Sequence, residues 1–208
     1  MKFIKENYIK IWKFLKENLL NTIIVCTLIF IICAISGIMF GINYSEETKE
    51  ILLSFIEANQ DLLNAEGLTS AGGLIKNNTT ACAMSILFGI LPFIFLTLIS
   101  LSLNGFMIGI VLGFSKVTSG ASMIKSFVLG ILPHGIFELP ALIISMSMGI
   151  YLCLTLTLKI FGRGKIKIIE LFKGYLRIFI SLIIPMLVLA GFIEAYVTPI
   201  LLNLYNDK

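Results

Sequence analysis

Charge is what this sequence has least of. Lys, Arg, Asp and Glu make up 13% of its 208 residues, about half the share of a soluble domain. Cysteine is scarce too: Cys26, Cys33, Cys82 and Cys153 all sit inside apolar runs. None has zinc-knuckle or CxxC spacing. Cys26 and Cys33 share a helical face, which reads as packing. There is a single histidine, so HExxH is impossible and no Ser or Cys nucleophile has a His partner at a set spacing. No Walker A motif occurs, and no GxGxxG opens a soluble domain. No basic groove is interleaved with aromatics, so nucleic acid is not an expected partner. What is abundant is apolar: 58% of residues are hydrophobic and the mean hydropathy is +1.00. That composition excludes disorder, collagen and a disulfide-stapled secreted fold. It implies an all-α, polytopic helical membrane protein, one integral domain over 1–208.

The segments follow from the apolar runs. Residues 1–18 carry Lys2, Lys5, Lys10, Lys13 and Lys16, while Ile4, Tyr8, Ile11, Trp12 and Leu15 fall on one helical face. This predicts a basic amphipathic helix at an anionic leaflet, with membrane lipid as its partner. The run 19–42 is too long for a signal h-region and is expected to be a permanent first span. An acidic loop, 43–76, holds Glu46, Glu47, Glu50, Glu57, Asp61 and Glu66. Within it Ile51, Leu52, Phe55, Ile56, Leu62 and Leu63 recur near a helical period and predict a short amphipathic helix. The run 79–114 would be about 54 Å long as one helix, against a hydrocarbon core of about 30 Å. A hairpin is expected there, and a long broken span at 127–158. A plain last span covers 178–202.

Basic residues set the orientation. Lys159, Arg163, Lys165, Lys167, Lys173 and Arg177 crowd a loop at 159–177 with Glu170 alone against them. This loop and the basic N-terminus are expected to be cytoplasmic, and loop 43–76 outside. The parity then requires about five crossings, with the N-terminus inside and the C-terminus outside.

Polar residues at depth are the informative ones. His134 and Glu138 lie four apart in Leu132-Pro133-His134-Gly135-Ile136-Phe137-Glu138-Leu139-Pro140, hence on one helical face. Gly130 and Pro133 predict a helix break near 130 and a restart at Pro133. Such broken helices line wet cavities or ion sites. Glu194 sits in the last span with Thr198 on the same face. Asn104 adjoins Gly105, and Gly105, Gly109 and Gly113 form a small-residue stripe for close helix packing. With Gly37 and Gly41 it offers a contact face for a homodimer or for packing within the chain. Asn77 and Asn78 open the second apolar run, where they read as a helix cap or as site residues. His134, Glu138 and Glu194 would suit a zinc-type divalent metal. A proton relay and a structural lock are the competing readings.

Asn77-Asn78, Asn104-Gly105-Phe106-Met107-Ile108-Gly109, Leu132–Ala141 (LPHGIFELPA) and Ile193-Glu194-Ala195 with Pro199 resemble the stage II sporulation protein M family over nearly the whole chain. The resemblance places Asn78, Asn104, His134, Glu138 and Glu194 on the family's recurrent polar positions. It implies a non-enzymatic scaffold in the cell membrane of a bacterium or archaeon. In sporulating hosts such a scaffold anchors two peptidoglycan-degrading partners, stage II sporulation proteins D and P, during engulfment. Loop 43–76 and the loop 116–125 would be its outer contact surfaces. A different class of function stays open beside it: a transporter, channel or metal-binding membrane component, including the permease partner of a separate ATPase.

Overall fold

The computed structural model describes residues 2–58, 70–93, 95–119, 122–163 and 167–206, with side chains described for 4–202 of these. Every regular element among them is a helix. Helix α1 (Lys2–Phe14) passes through a π-helical segment, Leu15–Leu19, into α2 (Leu20–Asn43). The short α3 (Ser45–Ala58) follows at once. A hairpin comprises α4 (Ala71–Phe88) and α5 (Leu96–Ser119). Then come α6 (Met123–Ser126), a π segment Phe127–Ile131 and the long α7 (Leu132–Ile160). The last helical pass is built from α8 (Ile168–Ile178), α9 (Ile184–Phe192) and α10 (Thr198–Asn206). Two further π segments, Phe179–Ile183 and Ile193–Val197, join its parts. Four helices are long and apolar enough to cross a membrane: Ile4–Asn43, Leu96–Thr118, Met123–Ile160 and Ile168–Leu202. The fold is that of an all-α membrane protein. Helix α4 has 18 residues, about 27 Å at 1.5 Å each, and its Lys76, Asn77 and Asn78 keep it outside those four.

Close contacts define how the helices run. Phe30 meets Gly105, Ala34 meets Gly109 and Ile38 meets Gly113, so α2 and α5 are parallel. Ser85 abuts Gly149, the Cys153 thiol donates to the Leu91 carbonyl at 3.3 Å, and Phe93 N–H donates to Thr157 Oγ1 at 3.0 Å. Helices α4 and α7 are therefore parallel as well, and the hairpin turn lies beside the C-terminal half of α7. The last pass runs antiparallel to α7, with Thr198 beside His134. Helices α1 and α8 also lie antiparallel. Asn7 Nδ2 donates to Ser181 Oγ at 3.0 Å, and the rings of Phe14 and Tyr175 meet edge to face at 6.2 Å.

Helix α7 is the axis of the bundle. Ala141, Met146, Met148 and Leu152 on it are fully buried, against Leu19, Cys26, Leu101, Leu171, Ile178, Ile183 and Leu187 from its neighbours. Tyr175 donates its hydroxyl to the Met148 carbonyl at 2.6 Å, tying α8 to this axis. Helix α2 is the opposite case. Ile24, Leu28, Ile31, Ile32, Ile35 and Met39 face outward, as expected of a surface that lipid covers.

Several sequence expectations change here. The chain does not break near Gly130. Leu132 N–H reaches back five residues to the Phe127 carbonyl, and the helix continues. The same register occurs at Ile184, bonded to Phe179, and at Thr198, bonded to Ile193. A proline follows each one: Pro133, Pro185 and Pro199. Proline lacks an N–H and its ring crowds the carbonyl one turn back. Adding a residue to that turn moves the carbonyl aside and keeps the ladder going. Helix α4 begins at Ala71, inside the stretch expected to be loop, because Ser70 caps it, accepting from Gly73 N–H at 3.3 Å. Asn77 and Asn78 are thus mid-helix residues and not a cap. From Ile168 onward the basic stretch 159–177 is also helix. Along α1 and the π turn after it, Ile11 and Leu15 pack inward while Ile4, Tyr8 and Trp12 stay exposed, so the expected single apolar face serves two environments. Asp61, Leu62, Leu63, Glu66 and Lys165 lie outside the described residues, as do positions 120 and 121 of the expected loop at 116–125.

Candidate functional site

One cavity of about 360 Å³ sits between α3, α4, α5, α7 and the last pass. Its polar wall consists of Asn77, Asn78, Asn104, His134, Glu138 and Glu194. The apolar wall includes Leu52 and Phe55 of α3 and Met107, Ile108 and Val111 of α5. All five expected site residues therefore meet in one space. Asn78 comes from α4, Asn104 from α5, His134 and Glu138 from α7, and Glu194 from the π segment Ile193–Val197.

Local sequence explains each placement. One helical turn separates His134 from Glu138, and His134 Nε2 lies 4.0 Å from Glu138 Oε2. Their side chains are only 13% and 24% exposed. Pro133 follows the widened turn just before His134, and Pro199 the one that carries Glu194. Both π segments thus flank the same cavity, a frequent position for such bulges. Asn78 stands on the same cavity wall as Glu138. Asn104 donates to the Ser100 carbonyl of its own helix at 2.8 Å.

The imidazole has a defined orientation. Thr198 Oγ1 stands 3.3 Å from the Ile193 carbonyl, five residues back across the π turn, and 3.4 Å from His134 Nδ1. Nδ1 is therefore turned to Thr198, and Nε2 to Glu138 and the cavity. One ligand atom each from His134, Glu138 and Glu194 lie within 4.8 Å of one another. No Lys or Arg lines the cavity among the described residues. The arrangement offers one imidazole nitrogen and two carboxyl groups to whatever enters.

The glycine stripe serves another purpose. Gly105, Gly109 and Gly113 face Phe30, Ala34 and Ile38, with Gly37 and Gly41 set between them. A methyl group on Gly109 would fall on the Ala34 carbonyl oxygen. This face is consumed within the chain, so the stripe is not open to a second copy. Sequence reasoning missed the cover that α3 lays over the cavity. The spacing of Leu52 and Phe55 marked an apolar face, but it carried no information on what that face covers.

These features define an all-α membrane protein with a half-open cavity between its helices, one wall of which is polar. The family model described as stage II sporulation protein M matches residues 26–199, and the chain belongs to that family. It is similar to an uncharacterised protein of Methanocaldococcus jannaschii, 33% identical over 126 residues that cover 60% of this chain and 69% of the relative. It is also similar to a second uncharacterised protein of that organism, 31% identical over 139 residues, or 65% of this chain and 59% of the relative's length. No solved structure matches.

Proposed function

We propose that this chain is a transport or channel component of the cell membrane whose working centre is the polar cavity. The supporting observation is the convergence of Asn78, Asn104, His134, Glu138 and Glu194 from four helical passes on one space in an apolar bundle. Ionisable groups at membrane depth are costly and mark ion or substrate paths. The π turns before Pro133 and Pro199, which leave the helices continuous, lie beside it, a frequent place for such bulges. In this reading the basic stretches at 1–18 and 159–177 are cytoplasmic. The chain crosses five times, N-terminus inside and C-terminus outside, and the cavity opens beneath α3 on the outer side. The test is reconstitution into liposomes and uptake of Na⁺, K⁺, Mg²⁺ and Zn²⁺. Uptake of a cation by the wild type, lost in Glu138→Gln and Glu194→Gln proteins that reconstitute equally well, is the expected result. No uptake by the wild type, or equal uptake by the variants, overturns the reading.

Family membership supports a second reading, a non-enzymatic scaffold that holds peptidoglycan hydrolases such as stage II sporulation proteins D and P at the membrane. Leu53 and Ile56, exposed on α3, would be part of its outer contact surface. Crosslinking in cells and recovery of the tagged chain should then bring down wall hydrolases. Unchanged hydrolase localisation after deletion of the chain would sink it.

A further inference from the structure

We propose that His134, Glu138 and Glu194 hold one divalent cation of the zinc type, with a coordination position left open to the cavity. The inference rests on reading this cavity as a binding centre and adds what it binds.

Charge balance leads the argument. Two carboxyl groups face a space that no Lys or Arg lines among the described residues, and one imidazole stands beside them. Buried carboxyl groups need a partner of opposite charge or a proton. One dication matches two carboxylates. The donor set then selects the metal. Imidazole nitrogen with carboxylate oxygens suits zinc and its first-row neighbours. Ca²⁺ takes six to eight oxygens, and Mg²⁺ demands octahedral oxygen and keeps its waters. Three protein ligands and one exchangeable position is the pattern of zinc sites that handle a ligand.

Geometry agrees. Zinc at about 2.0–2.2 Å from each ligand atom sets those atoms roughly 3.4 Å apart. His134 and Glu138 stand at 4.0 Å and the whole set within 4.8 Å. Rotamer adjustments of about 1 Å close that gap. Support around the ligands is present as well. Thr198 Oγ1 stands 3.4 Å from His134 Nδ1, so Nε2 is the nitrogen turned to Glu138. Metal-bound histidines are normally steadied in this way. Thr198 is thereby a positioning residue.

The test uses the full chain in mild detergent, stripped with chelator and titrated with Zn²⁺, with bound metal measured by elemental analysis. About one zinc per chain is expected, falling at least 100-fold in affinity in His134→Ala and in Glu194→Gln. Thr198→Val should weaken binding about 10-fold to 100-fold, and Thr198→Ser should restore it. Co²⁺ loaded in place of zinc should give the visible absorption of a tetrahedral site, shifted in Thr198→Val. Zinc no higher than in a detergent blank overturns the proposal, as does binding that survives in His134→Ala. If His134→Ala does not fold, Thr198→Val and Glu194→Gln decide alone, because each keeps the side-chain volume. The two readings can fail separately. Uptake of a cation without bound zinc removes the metal site and leaves the transport reading. Stoichiometric zinc without any uptake does the reverse.

Discussion

Two interfaces meet on α5, and they are built by opposite rules. One face carries Gly105, Gly109 and Gly113 against the backbone of α2. The other carries Asn104, Met107, Ile108 and Val111 to the cavity wall. Lipid tails are as apolar as leucine, so helices in a bilayer gain little from burying apolar surface against each other. Close backbone approach is what favours association, and the glycine face provides it. The cavity face gives up close packing to keep a space, and opposite it stand two carboxyl groups, with no Lys or Arg among the described residues that line the space. The first region is arranged for stability. The second costs stability, as functional sites commonly do.

The largest effect should come from breaking the glycine face. In Gly109→Leu the new side chain lands on the Ala34 carbonyl, which is backbone and cannot rotate away. The loss should be about 3 kcal/mol or more, read as a much lower melting temperature and a reduced folded yield in detergent. An unchanged melting temperature would mean that α2 and α5 are not packed this closely.

A change of opposite sign should come from the cavity. Glu138→Gln keeps the side-chain shape, and it removes one of two carboxylates whose ligand atoms lie within 4.8 Å. In chelator-treated protein this variant should be more stable than the wild type by about 1 kcal/mol, a screened share of the like-charge term. Added zinc should stabilise the wild type and leave the variant where it was. A Gln variant less stable than the metal-free wild type would make the pair a structural lock and erase the contrast with the glycine face.

Both regions were partly legible in the sequence, for different reasons. A four-residue glycine spacing marks one helical face whatever lies opposite, but the partner is a tertiary fact, and α2 rather than a second copy occupies it. The polar residues could be found because carboxylates and histidine are rare in apolar runs. Their meeting in one cavity could not, since Asn78, Asn104, Glu138 and Glu194 are joined only by packing. Pro133 was visible as the restart of a broken helix, whereas Pro199 sat in a last span read as plain. Their actual effect, a widened turn that keeps the helix whole, depends on neighbours that hold both ends in line. Helix α8 was hidden by its charge. Ile168, Leu171, Tyr175 and Ile178 recur every three or four residues, yet the basic residues between them read first as a loop.

The smallest stability effect should be at Asn104, which lies on the cavity face one residue from the glycine stripe. Its amide donates to the Ser100 carbonyl of its own helix, so replacing it breaks no bond between helices. Side-chain hydrogen bonds inside membrane bundles average about 0.6 kcal/mol, and Asn104→Leu should lose no more than that. What it removes is polarity at the wall, so zinc affinity should fall by a few-fold while the melting temperature stays near that of the wild type. That split would separate the two faces of one helix by a single position: stability on the glycine side, ligand on the other. If Asn104→Leu instead unfolds the chain as Gly109→Leu should, α5 has only one role, and the cavity face holds the bundle together as much as the glycines do.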